Sequence, residues 1–429
     1  MKKEKFLIST IILIMGGAIT KVLGMVIRII TTRIIGIDGI SLYMLIFPTF
    51  SLFMTLSQLG FPIAISKLVA EEKHNNKNVV FSIIPFSMLL NLFLMLVILI
   101  TAPILSNHLL KDERTYYPIL AIALVLPFDS LSSILRGYFF GKQKMFPHVC
   151  SNIFEQIIRL ILIVILIPKI MSKSLVNAVV GLVSVNIISE LSSIFMLMFF
   201  LPKKISIKAK DIKPSSSNVK DVLRIALPTT GGRIIGSIGY FIEPIILITA
   251  SKLASCSSSL IIKEYGIVEG YVMPLLLMPG FFTMAISSAL IPVISKAYVN
   301  RNITYVKSKL KQAIIISVLI GGISTMVLFI NPIFFLKLIY NTEEGAFYIR
   351  LIAPIFLLYY IQAPLASILQ SIDKAKYIMT DNTIAIIIRS IIMLLGCTFM
   401  GIYGFLLGMC INILIVTFLH YKHVKYSLN

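Results

Sequence analysis

Charge is scarce in this chain. Of its 429 residues 13% are Asp, Glu, Lys or Arg, whereas soluble domains run near one-quarter; 58% are hydrophobic and the mean hydropathy is +0.96. Water is therefore excluded as the main solvent. Cysteine is also rare: Cys150, Cys256, Cys397 and Cys410 have no CxxC spacing, which argues against a zinc site or a disulfide framework. The five histidines, His74, His108, His148, His420 and His423, show no HExxH or other ligand spacing. No GxGxxG, GxxxxGK[ST] or GxSxG motif occurs, so ATP-driven pumping and hydrolase chemistry within this chain are unlikely readings. No cofactor or metal is indicated, and the expectation is a protein that is not an enzyme.

What the chain does contain is long apolar runs. A membrane span needs about 20 such residues, and twelve stretches meet that length, at 6–30, 41–66, 79–104, 116–139, 147–168, 175–201, 222–249, 265–292, 312–334, 347–370, 378–398 and 402–420. The first follows Lys2, Lys3 and Lys5, but it is too long for a signal peptide, carries Lys21 and Arg28 and has no small-residue cleavage site, so it reads as a retained span. The expected fold is an all-α polytopic membrane protein with 12 transmembrane helices.

The net charge of +21 is spread over the loops rather than gathered in a domain, which argues for membrane topology and against nucleic acid. With the N-terminus inside, cytoplasmic positions hold 25 of the 39 basic residues and outer loops nine. That asymmetry follows the positive-inside rule and sets both termini in the cytoplasm of a plasma-membrane protein. The inward basic face also favours anionic lipid.

The longest polar stretch, KKISIKAKDIKPSSSNVKD, divides the chain near its middle. The expected organisation is a six-helix lobe at 1–202, a basic linker at 203–221 and a second six-helix lobe at 222–429. The halves resemble each other. NIFEQIIR (Asn152 to Arg159) aligns with NTIAIIIR (Asn382 to Arg389) at an offset of 230, and FPIAISK from Phe61 aligns with IPVISK from Ile291 at the same spacing. Six spans per half give both halves one orientation, the arrangement of parallel-repeat transporters whose substrate site lies between lobes.

Ionisable side chains within a bilayer are costly and usually face protein or a watery cavity. On the first span Gly17, Lys21, Gly24 and Arg28 recur at helical spacing along one side. The seventh repeats the pattern with Thr229, Arg233, Gly236, Tyr240 and Glu243, at an offset of 212. A glycine-lined cationic stripe suits a cavity for an anion such as a diphosphate, which Arg can bind bidentately. The alternative is close helix packing at the glycines, with Arg28 paired to Glu243. Glu269, one turn into the eighth span, is a candidate partner for Arg28 or Arg33. Glu155 and Arg159 are placed for a helical ion pair, and Arg136 is expected at the membrane interface or against a loop.

Three blocks carry a family resemblance: TKVLGMVIRIITTRIIGIDGISLYMLIFPTFSLFMTLSQLGFPIAISKLVAE, LRGYFFGKQKMFPHVCSNIFEQIIR, and ALPTTGGRIIGSIGYFIEP with YGIVEGYVMPLLLMPGFFTMAISSALIPVISKA. They resemble the stage V sporulation protein B family of the multidrug, oligosaccharidyl-lipid and polysaccharide (MOP) exporter superfamily, alongside lipid II flippases and toxin-extrusion antiporters. The resemblance implies two six-helix lobes in a V shape, alternating access and a lipid-linked peptidoglycan precursor or polysaccharide unit as cargo. Position by position, it assigns Arg28 and Arg33 to the arginines of the first helix and Arg233 to the cavity arginine of the seventh. The chain departs from lipid II flippases in reading Ile27 and Arg28 where they carry an Arg-Asp pair, and in having twelve spans rather than fourteen.

The substrate-binding candidates are thus Lys21, Arg28, Arg33, Arg233, Glu243 and Glu269, and the expected partners are a lipid-linked anionic substrate and membrane lipids, met by a monomer. A cation-coupled drug antiporter is the second reading; it expects an acidic first-lobe site, for which spans one to six offer only Glu155 and Glu190. A membrane scaffold for spore-wall enzymes is the third, and it predicts that Lys21, Arg28 and Arg233 are dispensable.

Overall fold

The computed structural model describes residues 2–71, 76–201, 216–253 and 257–428. Most of the expected linker at 203–221 and Cys256 lie outside them. Apart from short turns the described residues are helical, as apolar chain without water must be if its backbone N–H and C=O groups are to pair. The helices are α1 (Lys2–Gln58), α2 (Phe61–Glu71), α3 (Asn76–Ile104), α4 (Tyr116–Gly141), α5 (Met145–Met171), α6 (Leu175–Phe199) and α7 (Ser216–Leu253), then α8 (Ser258–Ile267), α9 (Met273–Leu277), α10 (Gly280–Val299), α11 (Ile303–Ile330), α12 (Pro332–Tyr340), α13 (Ala346–Ser371), α14 (Ala375–Met400) and α15 (Ile402–Leu428).

Ten helical segments among the described residues are long and apolar enough to cross a membrane, against twelve expected stretches. The longest, Met15–Glu71, contains the second expected stretch and most of the first. They are separated not by a loop but by a kink at Gly36, whose φ of 64° and ψ of −169° occupy a region essentially reserved for glycine. The stretch expected at 265–292 is likewise interrupted: α8 leads into a π turn at Val268–Val272, then the short α9, then α10.

Two compact units form, Met1–Phe241 and Ile242–Asn429. In the first, α2, α3, α4 and the start of α7 enclose Phe61, Ile65, Ile83, Ile134, Phe139, Val222 and Ala226. Hydroxyl and amide groups tie the helices where apolar contact alone distinguishes poorly between neighbours and lipid. Ser57 Oγ donates to Asn91 Oδ1 at 2.6 Å, Asn91 Nδ2 donates to Ser87 O at 2.7 Å, and the Ser87 and Ser130 hydroxyls lie 2.5 Å apart. In the second unit, α10, α11, α13 and α15 pack around Ile294, Val306, Leu365, Ile368 and Leu369. The α14–α15 hairpin closes backbone to backbone, since a Cβ on Gly404 would run into Gly396 and Cys397. Outward faces carry large apolar side chains such as Phe195, Phe199 and Phe399, as lipid contact requires.

Candidate functional site

The first-helix stripe places two of its members, Gly24 and Arg28, in a cavity. A space of about 280 Å³ in the first unit is lined by residues including Gly24, Arg28, Tyr43, Phe47, Arg159 and Asn186. Arg28 is half-buried, and its Nη2 lies 3.8 Å from Met44 Sδ. Both guanidinium groups are near enough to act electrostatically on the Tyr43 phenol. Gly24 faces open space, with nothing near the position of a Cβ, so this glycine keeps room beside Arg28 instead of admitting a neighbouring helix. Lys21 and Arg33 sit on exposed positions of α1 and Arg233 on an exposed position of α7; none of these three lines the cavity.

Arg159 is held at the cavity wall by Glu155, with Nη2 donating to Oε1 at 2.6 Å, the expected helical pair. The pair belongs to a larger network. Arg136 Nη2 donates to Glu155 Oε2 at 2.5 Å, to Ser193 Oγ at 2.9 Å and to Glu190 Oε2 at 3.2 Å. Ser132 Oγ also donates to Glu190, at 2.6 Å. Arg136 is therefore not the interfacial anchor expected from sequence. Its side chain is 18% exposed, drawn inward because Glu155 on α5 and Glu190 on α6 need a cation away from water. Asp129, two turns before Arg136 on the same face of α4, is a third buried carboxylate; Gln58 Nε2 donates to both its oxygens, at 3.0 and 3.1 Å.

In the second unit Glu243 is buried, and its Oε2 pairs with Arg389 Nη2 at 2.7 Å. Arg389 also lies over the Phe405 ring, 5.7 Å from its centre. Glu269, buried in the π turn, is within electrostatic range of Glu243. The two candidate acids thus lie within electrostatic range of each other, and the cation that answers Glu243 is Arg389, the last residue of the repeated segment. Arg159 and Arg389 occupy the same position of the repeated segment, and each holds a buried carboxylate: one from its own helix, one from α7.

A further cluster joins α14 to α15. Asp381 is fully buried, its Oδ2 lies 3.0 Å from His423 Nδ1, and the His423 ring stacks on Tyr377 at 4.2 Å. Neither histidine spacing nor the apolar pattern signals it, because the partners are 42 residues apart. No group of three or more His, Cys, Asp or Glu suited to a metal ion occurs among the described residues.

Comparison with known proteins agrees with this architecture. A polysaccharide biosynthesis protein family model matches residues 6–298, and a MatE model matches 268–395. The chain is 35% identical to stage V sporulation protein B of Bacillus subtilis (strain 168) over 98% of this chain and 83% of that protein. It is 22% identical to the lipid II flippase MurJ of the same organism, over 91% and 77% respectively. Among solved structures, the inward-facing conformation of a multidrug resistance MATE family transporter of the MOP superfamily superposes with a TM-score of 0.75 at 16% identity, covering 95% of this chain and 94% of that one. Ten membrane-length apolar helices and this likeness make the chain a multi-pass membrane protein with a transporter fold. By a model match over residues 6–298 and 35% identity to a relative covered to 83% of its length, it belongs to the polysaccharide biosynthesis protein family.

Proposed function

We propose that this transporter carries an undecaprenyl-diphosphate-linked oligosaccharide or peptidoglycan precursor from the inner to the outer leaflet, as a monomer working by alternating access, in spore-cortex or cell-wall formation. The observation that supports this reading is the pair of arginines on one cavity. Arg28 and Arg159, with the Tyr43 phenol and the Asn186 amide, line about 280 Å³. That is room for a diphosphate and two cations to meet it; the glycan needs space beyond. Guanidinium forks match phosphate oxygens bidentately and keep their charge in a dry site. The Glu155 contact leaves the Arg159 fork in a fixed orientation, so less freedom is lost when an anion arrives. The stage V sporulation protein B and lipid II flippase relatives favour the same substrate class. In this reading the lobes at 1–202 and 222–429 share one orientation, both termini are cytoplasmic, and Lys21, Arg33 and Arg233 act on the anionic headgroup along the path.

Replacing Arg28 and Arg233 together by Ala should abolish the outward appearance of a labelled lipid-linked precursor while protein abundance in the membrane stays unchanged. Normal export by that variant would refute the flippase reading. A second reading, cation-coupled export of small drugs, is favoured by the three buried carboxylates of the first unit, Asp129, Glu155 and Glu190. It predicts drug resistance that survives the double Arg variant and is lost in Asp129→Asn.

A further inference from the structure

An apolar groove of about 840 Å³ runs between α3 and the first turns of α7, away from the arginine cavity. Its walls are Pro85, Phe86 and Leu89 on one side and Val219, Leu223 and Leu227 on the other, with Lys220 and Arg224 among its lining residues. Two stripes lie side by side on α7: Val219, Leu223 and Leu227 recur every four residues, and Lys220 and Arg224 recur beside them. Side chains four apart stand one above another on a helix, so the groove has an apolar wall next to a cationic one. Both cations are exposed, as are Leu89 and Leu227. The groove is a built feature of this unit. Asn218 Nδ2 donates to Ser82 Oγ at 3.1 Å, and Val222 and Ala226, next to the apolar stripe on α7, are fully buried in one cluster with Val80 and Ile83. Those contacts join the first turns of the two helices beneath the groove.

We propose that this groove is a binding site for an anionic phospholipid, with an acyl chain between Phe86, Leu89, Leu223 and Leu227 and the headgroup phosphate on Lys220 and Arg224. The arrangement on α7 fits one molecule: Lys220 and Arg224 stand beside the apolar stripe in the first turns and Leu227 lies beyond both, so a headgroup on the cations and a tail running on toward Leu227 share one groove. With α7 entering from the cytoplasm, as proposed above, the site faces the inner leaflet. Basic sites between helices on that side select anionic headgroups, and a bulk lipid held there would brace the α3–α7 junction whatever the cargo. Two features favour a phospholipid over the cargo lipid: the groove is separate from the arginine cavity, and its cations stand at the exposed surface, where a resident lipid's headgroup lies.

The chain has no tryptophan, so a single introduced indole reports on one place. The Leu89→Trp protein, reconstituted in phosphatidylcholine vesicles containing dibrominated phosphatidylglycerol, measures which lipid occupies the groove by quenching. Phe399→Trp, on a lipid-facing position that is 86% exposed, measures the bulk lipid. At about 1 kcal/mol per cation near the surface, two cations favour an anionic headgroup by up to about 30-fold, so with about one lipid in ten brominated the groove holds it about three-quarters of the time. Quenching at Leu89→Trp should then far exceed that at Phe399→Trp, fall as salt is raised, and return to the bulk level when Lys220→Gln and Arg224→Gln are added. Leu227→Trp serves as a second reporter should Leu89→Trp fold poorly. Equal quenching at the groove and bulk positions would overturn the proposal, as would enrichment that survives loss of both cations. Relief of quenching by undecaprenyl phosphate added at a level equimolar with the protein would overturn it in favour of the cargo lipid. Because the vesicles have the same composition on both sides and no transport is measured, these outcomes are independent of the flippase reading.

Discussion

Glu155 is the carboxylate on which the first unit's charge network turns, and its replacement by Gln has an effect that can be worked from geometry. Its side chain is 6% exposed, its Oε1 takes Arg159 at 2.6 Å and its Oε2 takes Arg136 at 2.5 Å. Solvent screening at that exposure is slight. Breaking a buried pair by removing one partner costs about 3–5 kcal/mol, because the charge left behind is uncompensated. Here two arginines lose a shared carboxylate, while Glu190 at 3.2 Å still serves Arg136. Glu155→Gln should therefore destabilise by about 3–5 kcal/mol, with Arg159 as the stranded charge. Arg159→Gln alone leaves Glu155 with Arg136 and should cost less, about 1.5–3 kcal/mol for one charged hydrogen bond. Combining the two restores one carboxylate to one guanidinium, Glu190 with Arg136. The double variant should then be more stable than Glu155→Gln alone. Unfolding of the purified protein in detergent, compared at a fixed heating rate because membrane proteins often unfold irreversibly, ranks the three. A double variant as unstable as the sum of the singles would refute the shared-carboxylate account.

Gly36→Val should destabilise by about 1–3 kcal/mol, since a β-branched residue at φ 64° and ψ −169° is strained even with open space around it; the same unfolding measurement checks it, and a neutral result would mean the kink relaxes. In the second unit, Arg389→Glu should abolish accumulation of folded protein by setting three acids, Glu243, Glu269 and the new carboxylate, near one another. The exchange Glu243→Arg with Arg389→Glu should restore part of it, measured as monodisperse protein by size-exclusion chromatography.

Much of the helix content is legible in sequence because lipid imposes a local rule: each apolar run has to satisfy its own backbone. The Glu155–Arg159 pair is legible for the same reason, being set by the helical repeat of a single segment. The stripe on the first helix includes Arg28, which lines a cavity, since a polar face on an apolar helix needs somewhere to turn. It did not separate Arg28, which lines the cavity, from Lys21 and Arg33 at exposed positions, because one face of a long helix passes several environments along its length.

Partners far apart in sequence were not legible. Arg136 reads as an interfacial residue from its place near a loop, but the helix faces of α5 and α6 turn Glu155 and Glu190 toward it. Glu243 found Arg389, 146 positions away, and Asp381 found His423 across a hairpin. Each buried acid announces in sequence that it must have a cation or a donor; which one it receives depends on rotations and translations of rigid helices that apolar patterning barely constrains. The groove beside Lys220 and Arg224 has the same origin: α7 supplies its two stripes from sequence, and only tertiary packing sets Pro85, Phe86 and Leu89 of α3 across from them. The amino-acid sequence by itself thus determined a multi-pass helical chain, its polar faces and the residues whose charge had to be answered. The tertiary structure alone decided which charge answers which, because that choice is made by interhelical packing and hydrogen bonds rather than by any local pattern.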